Sequence, residues 1–327
     1  MRPIRRIVYI RTDRMGDVLM NMAAIRLLRQ TFPKAWITLL VDYKIADLFQ
    51  GCPDLDEVMI VRRGELNGSW RAKLRYAWQL KKGRFDMAIA ANPEKTTHVA
   101  MALAGIPRRV GWERKWSFLL TRKIIPEKDP ISTHEMDTNI RLVKLITKLE
   151  WDGSLGLGRD ESVDARMKQR IAEANPEDRP MVAVHTGTSD PRKRWSFEKF
   201  AALCDEIATK TNCCVVLIGG PEERVYVEAM GHLLKHSPVD WVGALTLKEL
   251  ASFLANRQVR AIVSSDSGPV HVAWMSGTPA VVMFARGVTG SNPNRWGPRD
   301  GRSYVIYKPM ADIKVAEVMT GLQRFIS

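Results

Sequence analysis

The chain has 327 residues, enough for two domains that each bury a core of their own. Hydrophobic residues make up 45% and charged residues 26%, a balance typical of a globular protein rather than a disordered one, and no run approaches the roughly 20 apolar residues of a membrane span. The formal net charge is +14, and residues 1–150 hold 28 Lys and Arg against 16 Asp and Glu. The first half therefore either meets an acidic partner, such as an anionic substrate, a membrane surface or nucleic acid, or presents a generally basic surface.

In chain order, the first half alternates strand and helix patterns. Strands are predicted at residues 7–11, 36–41, 57–61 and 86–91, and helices at 17–31, 70–82, 96–104 and 135–149. The polar stretch 150–180 predicts a domain boundary, since it holds Pro176, Asp178 and Pro180 in quick succession, and it carries one candidate helix at 161–174.

The alternation restarts after the boundary. Strands are predicted at 181–187, 213–220, 241–242, 259–264, 280–284 and 304–307, and helices at 197–209, 222–234, 247–256, 269–276 and 312–325. Repeated strand–helix units predict an α/β fold with two parallel sheets, each covered by helices on both faces, and ligands at the carboxyl ends of the strands. The expected domains are 1–155 and 156–327, with the last helix packing back on the first domain.

The four cysteines form neither a CxxC pair nor a Cys/His cluster with metal spacing. They are predicted to be core residues in a reducing compartment, which indicates a cytoplasmic protein. They are Cys52, Cys204, Cys213 and Cys214.

The loop after the first strand reads TDRMGD, residues 12–17. A dinucleotide-binding turn would carry three glycines, and Gly16 is the only one here, which argues against a nicotinamide or flavin dehydrogenase. Asp17 falls at the predicted helix start, where a carboxylate can accept the proton of an attacking hydroxyl. The alternatives are that Asp17 only caps the helix and that Asp13 pairs with a neighbouring arginine.

The loop after the first strand of the second half reads HTGTSDPRKRW, residues 185–195. Its small and hydrogen-bonding residues can surround a phosphate, and these are Thr186, Gly187, Thr188 and Ser189. The basic residues 192–194 can stabilise a leaving diphosphate. A solvated basic loop is the alternative.

Residues 264–284 read SSDSGPVHVAWMSGTPAVVMF and predict a strand end, a tight turn at 266–268, a helix and the next strand. The N-terminus of a helix binds anions through its free N–H groups and its dipole. The alternative is an ordinary N-cap formed by Asp or Ser.

These segments, in this order, resemble glycosyltransferase family nine, the heptosyltransferases of lipopolysaccharide core assembly. RTDRMGDVLMNMAAIRLLRQTFP is similar to the family's opening loop and helix, HTGTSDPRKRWSFEKFAAL to its middle motif, and SSDSGPVHVAWMSGTPAVVMF to its donor-binding motif. VLIGGPEE, ALTLKEL and HEMDTN add shorter agreement. Three ordered motifs are a more specific signal than one short pattern.

The resemblance implies the GT-B fold, with two Rossmann-like, doubly wound parallel-sheet domains facing across a cleft. The first domain would bind the acceptor and the second the nucleotide sugar. It also implies an inverting, metal-independent transfer of heptose from ADP-L-glycero-β-D-manno-heptose to a hydroxyl of the lipopolysaccharide inner core, either Kdo-lipid A or a heptosylated core. No cofactor and no metal ion are expected, and no DxD-like pair or His/carboxylate cluster stands out as a divalent-metal site.

The resemblance also implies roles for individual residues. Asp17 matches the proposed general base, and Lys193 matches the lysine that neutralises the donor phosphates. The positions around the diphosphate and sugar are Asp266, Ser267, Gly268, Pro269 and His271, with Ser267 where threonine is more usual and Pro269 where leucine is common. Glu222 or Glu223 would meet the ribose, and Leu245 would line the adenine pocket.

Basic residues of the first half would bind the carboxylates and phosphates of the inner core. With the loop residues Asp13 and Arg14, the expected acceptor set is Arg62, Arg63, Arg108, Arg109, Arg122 and Lys123.

Trp70, Leu74 and Trp78 are spaced four apart on a helix that carries five Lys and Arg. Such a stripe predicts a face buried in the core, and contact with the cytoplasmic leaflet of the inner membrane is the alternative. Other functions consistent with the sequence are transfer from another nucleotide sugar, a GT-B-like nucleotide-sugar epimerase, and a nucleic-acid-binding protein. No nucleic-acid module is recognisable, so no nucleic-acid partner is expected.

Overall fold

The structure of the protein is a computed structural model that describes residues 3–66, 69–126 and 133–326. It divides into two compact units, Met1–Gly158 and Arg159–Ser327. Each unit contains one parallel sheet of six strands with helices in the connections. The predicted α/β fold with two parallel sheets is therefore confirmed.

The first unit alternates strands with α-helices, except in two connections that carry a 3₁₀ helix instead, Ala46–Phe49 and Ser117–Leu119. Its strands are β1 (Arg6–Ile10), β2 (Trp36–Asp42), β3 (Glu57–Val61), β4 (Met87–Ala90), β5 (Arg108–Trp112) and β6 (Arg122–Ile124). Its helices are α1 (Met15–Leu19), α2 (Met22–Thr31), α3 (Arg63–Leu66), α4 (Trp70–Lys82), α5 (Lys95–Leu103) and α6 (Glu135–Lys144).

The second unit repeats this plan. Its strands are β7 (Met181–His185), β8 (Cys214–Ile218), β9 (Val239–Asp240), β10 (Val259–Ser265), β11 (Ala280–Ala285) and β12 (Tyr304–Lys308). Its helices are α7 (Glu161–Ala174), α8 (Phe197–Lys210), α9 (Arg224–Gly231), α10 (Leu247–Leu254), α11 (Gly268–Met275), α12 (Pro293–Trp296) and α13 (Val315–Ile326).

Both sheets have the doubly wound strand order. The first runs β3-β2-β1-β4-β5-β6, and the second runs β12-β11-β10-β7-β8-β9, which is the same order within its own unit. In the first sheet, successive strands are added on one side of β1 and then, from β4 on, on its other side. In the second sheet the same reversal in the order of strands falls between β7 and β10. Loops that leave the carboxyl ends of these strand pairs diverge and leave a crevice, the usual ligand position in such sheets.

The predicted helix 17–31 is in fact two helices, α1 and α2, separated at residues 20 and 21. The Asn21 side chain causes this break: its amide donates to the Asp17 carbonyl at 2.6 Å, and its oxygen accepts from the Tyr9 hydroxyl at 2.7 Å. These bonds hold the backbone at residue 21 as the start of a new helix. The prediction also missed β5 and β6, and α6 ends at Lys144 rather than at residue 149.

The last helix, α13, packs in the second unit against α8, β10 and β11. Val318 and Leu322 are fully buried there, in the cluster that also holds Trp195 and Phe200. The hydrophobic face of α13 is thus covered by its own unit.

The prediction that Trp70, Leu74 and Trp78 form a core face is wrong. These side chains are 66%, 48% and 56% exposed. Helix α4 buries a neighbouring face instead, with Tyr76, Ala77 and Leu80 packed into the core of the first unit. Both faces have helical spacing, so the pattern alone did not distinguish the covered one.

The four cysteines are free and buried, as predicted for core residues. Over the described ranges, no helix combines the length and the apolar character needed to cross a membrane.

Candidate active site

The first strand leads into a cluster of three carboxylates around one guanidinium, here called the Asp17 cluster: Arg11, Asp13, Asp17 and Glu135. Arg11 directly follows β1 and donates from Nη1 to the Ala91 carbonyl at 3.0 Å, which joins the ends of β1 and β4 across the reversal point. Its Nε lies 3.0 Å from Asp13 Oδ2, and its Nη2 lies 3.1 Å from Asp17 Oδ1 and 3.6 Å from Glu135 Oε1.

Asp17 is the most exposed carboxylate of this cluster. Its side chain is 26% exposed, against 18% for Asp13 and 6% for Glu135. Burial raises the pKa of Asp17; the nearby charges of Asp13 and Glu135 act in the same direction, and Arg11 opposes them. A reachable carboxylate with a raised pKa is a stronger base than an ordinary surface aspartate.

The capping alternative for Asp17 is wrong. Arg14 occupies the N-cap of α1, and the Asp17 carboxylate accepts from Arg11 instead. The alternative proposed for Asp13 is confirmed, because Asp13 pairs with Arg11 and also lies 3.2 Å from Arg63 Nη2.

The structure gathers four of the predicted acceptor residues around one cavity of the first unit. The cavity has a volume of about 690 Å³, and its lining includes Asp13, Arg14, Arg62 and Arg63. Lys44 lines the same cavity. Four basic residues outnumber the two acidic ones in this lining, which favours an anionic ligand.

The other four predicted acceptor residues lie elsewhere. Arg108 and Arg109 begin β5 opposite Met87 and Ala88, at the amino end of the sheet. Arg109 donates from Nε to the Leu119 carbonyl at 2.6 Å, and Arg122 donates to the Leu145 carbonyl at 2.7 Å. Lys123, on the edge strand β6, pairs with Glu113 at 2.7 Å. Four of the eight expected acceptor residues therefore line this cavity, and the acceptor role of the other four stays a prediction.

In the second unit, Lys193 and Asp266 meet across the reversal point between β7 and β10. Lys193 Nζ donates to Asp266 Oδ2 at 2.7 Å and to the Gly290 carbonyl at 3.2 Å. The side chains are 16% and 9% exposed. Burial raises the pKa of Asp266, although the charge and hydrogen bond of Lys193 oppose this. The pair thus holds a partly desolvated ammonium group at the carboxyl edge of the sheet.

Only Lys193 of the three consecutive basic residues approaches Asp266. Arg192 is exposed and pairs with Asp190 at 2.7 Å, and Arg194 lies over the Tyr226 ring at 4.0 Å. In the same loop Thr186 is buried, Thr188 is half-buried and Ser189 is exposed. The loop is therefore a structured turn, with a short 3₁₀ helix (Pro191–Lys193) that the Asp190 side chain caps.

The turn before α11 leaves the helix N-terminus without a side-chain cap. Ser267 is the N-cap residue, but its hydroxyl lies 2.9 Å from Ser264 Oγ and 3.2 Å from His185 Nδ1 instead of bonding to the first turn. The N-cap alternative is therefore wrong for the Ser267 side chain. Gly268 opens the helix and Pro269 follows it, so Pro269 contributes no N–H donor.

His185 connects this turn to Glu223. Its Nδ1 is 2.9 Å from Ser264 Oγ, and its Nε2 is 3.1 Å from Glu223 Oε2. The Gly220 amide also donates to Glu223 at 2.9 Å. Burial acts to raise the pKa of Glu223, but these partners outweigh it and the pKa is lowered. Gly187 leaves room for this arrangement, because a Cβ at that position would clash with the Glu223 carboxylate and displace it.

The remaining predicted donor residues lie on the same unit. Glu222 is exposed, beside Glu223 in the 3₁₀ turn Pro221–Glu223. Leu245 is half-buried, one residue before the N-cap of α10. His271 is buried in α11 and accepts from Trp274 Nε1 at 3.3 Å.

Sequence reasoning missed three residues that organise these sites: Arg11, Glu135 and His185. Arg11 and His185 lie at the carboxyl ends of the first strands of their sheets, and this position is the signal that indicates them. Glu135 comes from α6, far along the chain, and no local pattern links it to Asp17. Over the described ranges, no three His, Cys, Asp or Glu side chains gather in a way that could hold a metal ion.

The amino-acid sequence was also compared with known protein families and with individual known proteins. Residues 73–319 match the model of glycosyltransferase family 9 (heptosyltransferase). The chain is 24% identical over 309 residues to the lipopolysaccharide core heptosyltransferase OpsX of Haemophilus influenzae, covering 91% of this chain and 82% of the relative.

Solved structures share the fold. A family 9 glycosyl transferase from Veillonella parvula superposes with a TM-score of 0.87 at 19% identity, covering 98% of this chain and 97% of the other. ADP-heptose lps heptosyltransferase II of E. coli superposes with a TM-score of 0.82 at 21% identity, covering 98% of each chain.

Proposed function

This chain belongs to glycosyltransferase family 9, and we propose that it transfers a heptose from an ADP-activated heptose to a hydroxyl of the lipopolysaccharide inner core. The names of the similar proteins support both substrates, since one is a lipopolysaccharide core heptosyltransferase and another an ADP-heptose heptosyltransferase. We also propose that the transfer inverts the anomeric configuration and needs no metal ion.

The observation that carries the proposal is the Lys193–Asp266 pair beside the start of α11. A diphosphate at this position would meet the Lys193 ammonium and the backbone N–H groups of the first helical turn, which no side chain caps. Both features are preorganised, so they can stabilise the charge that develops on a leaving nucleoside diphosphate. Glu223, held by His185 and Gly220, is the proposed ribose contact, and Leu245 the proposed adenine contact.

The proposed base is Asp17. The acceptor oxygen attacks the anomeric carbon and gives its proton to the Asp17 carboxylate, while the bond from that carbon to the β-phosphate oxygen breaks. ADP leaves with the bonding electron pair, and a single displacement inverts the configuration. Arg11 holds Asp17 in place, and the basic cavity lined by Arg14, Arg62 and Arg63 is the proposed site for the acceptor's carboxylates and phosphates.

Calorimetric titration with ADP, UDP and GDP, in the presence of a chelator, tests the donor site first. We expect selective ADP binding that weakens roughly 10- to 100-fold in Lys193→Gln, because a charge-assisted contact to phosphate is lost. Arg192→Gln is the matched control, since Arg192 is the adjacent basic residue and pairs with Asp190 instead.

Product analysis with ADP-heptose then tests the reaction. Release of ADP that requires a core acceptor, with heptose added to it, is the expected result. If the chain instead bound UDP or GDP more tightly than ADP, the fold assignment would stand, but the donor would carry a different sugar. Turnover of the nucleotide sugar without acceptor would favour an epimerase and contradict the proposal.

A further inference from the structure

Helix α4 presents an unusual exposed surface, here called the α4 stripe: Trp70, Leu74 and Trp78. All three are more than two-fifths exposed, and they lie one turn apart on one side of a 13-residue helix. The helix is held by another face, where Tyr76, Ala77 and Leu80 pack into the core. The exposed Trp70 and Trp78 therefore do not anchor α4 to the rest of the unit. Exposed apolar patches of this kind typically mark an interaction surface.

Basic residues surround the α4 stripe. The helix carries five Lys and Arg and no acidic residue, and all five basic side chains are exposed: Arg71, Lys73, Arg75, Lys81 and Lys82. Two of them lie against the stripe, with Lys82 Nζ 3.6 Å from the Trp78 ring centre and the Arg71 guanidinium 5.7 Å from that of Trp70. An apolar stripe with a basic margin is the composition of helices that lie in the interface of an anionic bilayer.

The charge distribution selects among possible occupants of this surface. A second copy of the chain would bring five positive charges against another five, and like charges across an interface oppose association. A bilayer with anionic headgroups satisfies both features at once, because indole rings prefer the headgroup region and the basic side chains reach the lipid phosphates.

We propose that the α4 stripe and its basic margin dock on the surface of an anionic phospholipid bilayer. Trp70, Leu74 and Trp78 enter the headgroup region, and the five basic side chains contact lipid phosphates. This inference is independent of the proposed glycosyl transfer, because it rests on the exposed face of one helix. Helix α4 starts at the carboxyl edge of the first sheet, the edge that carries the Asp17 loop, and runs back toward the amino edge, so docking would lay this side of the unit along the lipid surface.

Flotation of the full chain with vesicles tests the proposal without any sugar substrate. The probes are vesicles of phosphatidylcholine alone and of phosphatidylcholine mixed with phosphatidylglycerol, at low and high salt. We expect binding to the mixed vesicles that weakens with salt, and little binding to phosphatidylcholine alone.

Two variants separate the apolar and the electrostatic parts. Trp70→Gln/Leu74→Gln/Trp78→Gln should weaken vesicle binding roughly tenfold or more, because it removes the inserted apolar area. Arg71→Gln/Lys73→Gln/Lys81→Gln should weaken it roughly 100-fold, at about fivefold for each basic residue. The matched controls remove three exposed apolar or three exposed basic side chains elsewhere and should bind as the parent chain does: Leu149→Gln/Val225→Gln/Leu233→Gln and Lys34→Gln/Lys168→Gln/Lys314→Gln.

A third variant reports contact directly. Trp70→Phe/Trp78→Phe keeps aromatic side chains and should still bind, but it should lose most of the quenching that brominated lipids cause in the parent chain's fluorescence. Equal binding by the stripe variant and the parent, absence of binding to the mixed vesicles, or unchanged quenching in the Phe variant would each overturn the proposal. So would a concentration-dependent dimer that the stripe substitutions abolish, since the occupant would then be a second copy.

Discussion

Replacing Asp17 with Asn gives the sharpest test of the proposed base, because activity and stability should change in opposite directions. The Asn side chain has nearly the same shape, and its oxygen can still accept from Arg11 Nη2, which lies 3.1 Å from the present carboxylate. It cannot take up the proton of the acceptor hydroxyl. Loss of general-base catalysis typically lowers kcat by about 10²- to 10⁴-fold, which is about 3–5 kcal/mol in the activation barrier.

The stability change follows from the raised pKa of Asp17. Burial raises this pKa above the ordinary value of an aspartate, so the ionised carboxylate costs folding free energy. That cost is absent below the unfolded pKa and complete once the pH exceeds the folded pKa. Asn carries no such cost. At pH 7 the variant should therefore melt at a higher temperature than the parent, and the difference should close as the pH falls towards about 4.

Steady-state transfer and calorimetric ADP binding provide the assay. ADP affinity should be unchanged, because Lys193 and Asp266 lie in the second unit. Asp13→Asn is the control: this carboxylate belongs to the same cluster, and its loss should affect KM for the acceptor more than kcat. Transfer by Asp17→Asn at the parent rate would refute the base assignment, and a lower melting temperature at pH 7 would refute the electrostatic argument.

Three further substitutions test separate parts of the structure. Glu135→Gln removes a charge that raises the pKa of Asp17, so the acidic limb of the pH–rate profile should move to lower pH; an unchanged limb would exclude this coupling. Gly187→Ala places a methyl group where the Glu223 carboxylate lies, so ADP affinity should fall by roughly tenfold if Glu223 contacts the ribose. Leu80→Ala should lower the free energy of unfolding by about 2–5 kcal/mol in urea titration, since the side chain is fully buried in the first core.

Much of this architecture could be predicted from the sequence, because local pattern reports it directly. Apolar runs bounded by turn residues predict the positions of most strands. For the segment 259–285, the predicted bounds of the strands and the helix agree with the structure to within a residue or two. Both sheets were expected to be parallel. Strands β5 and β6 were not predicted because neither shows an apolar run. β5 begins with two arginines and contains Gly111, and β6 has three residues on the sheet edge, two of them basic.

The sequence by itself determined that the chain alternates strands and helices in two halves, and it determined which loops carry anion-binding and carboxylate residues. Only the tertiary structure decided which of those residues meet. The folded chain places Lys193 rather than Arg192 beside Asp266, brings Glu135 to Arg11, and turns Trp70 and Trp78 to solvent while Tyr76 enters the core. The reason is that periodicity shows which side chains share a face, whereas the neighbouring elements, which come from distant parts of the chain, determine what that face contacts.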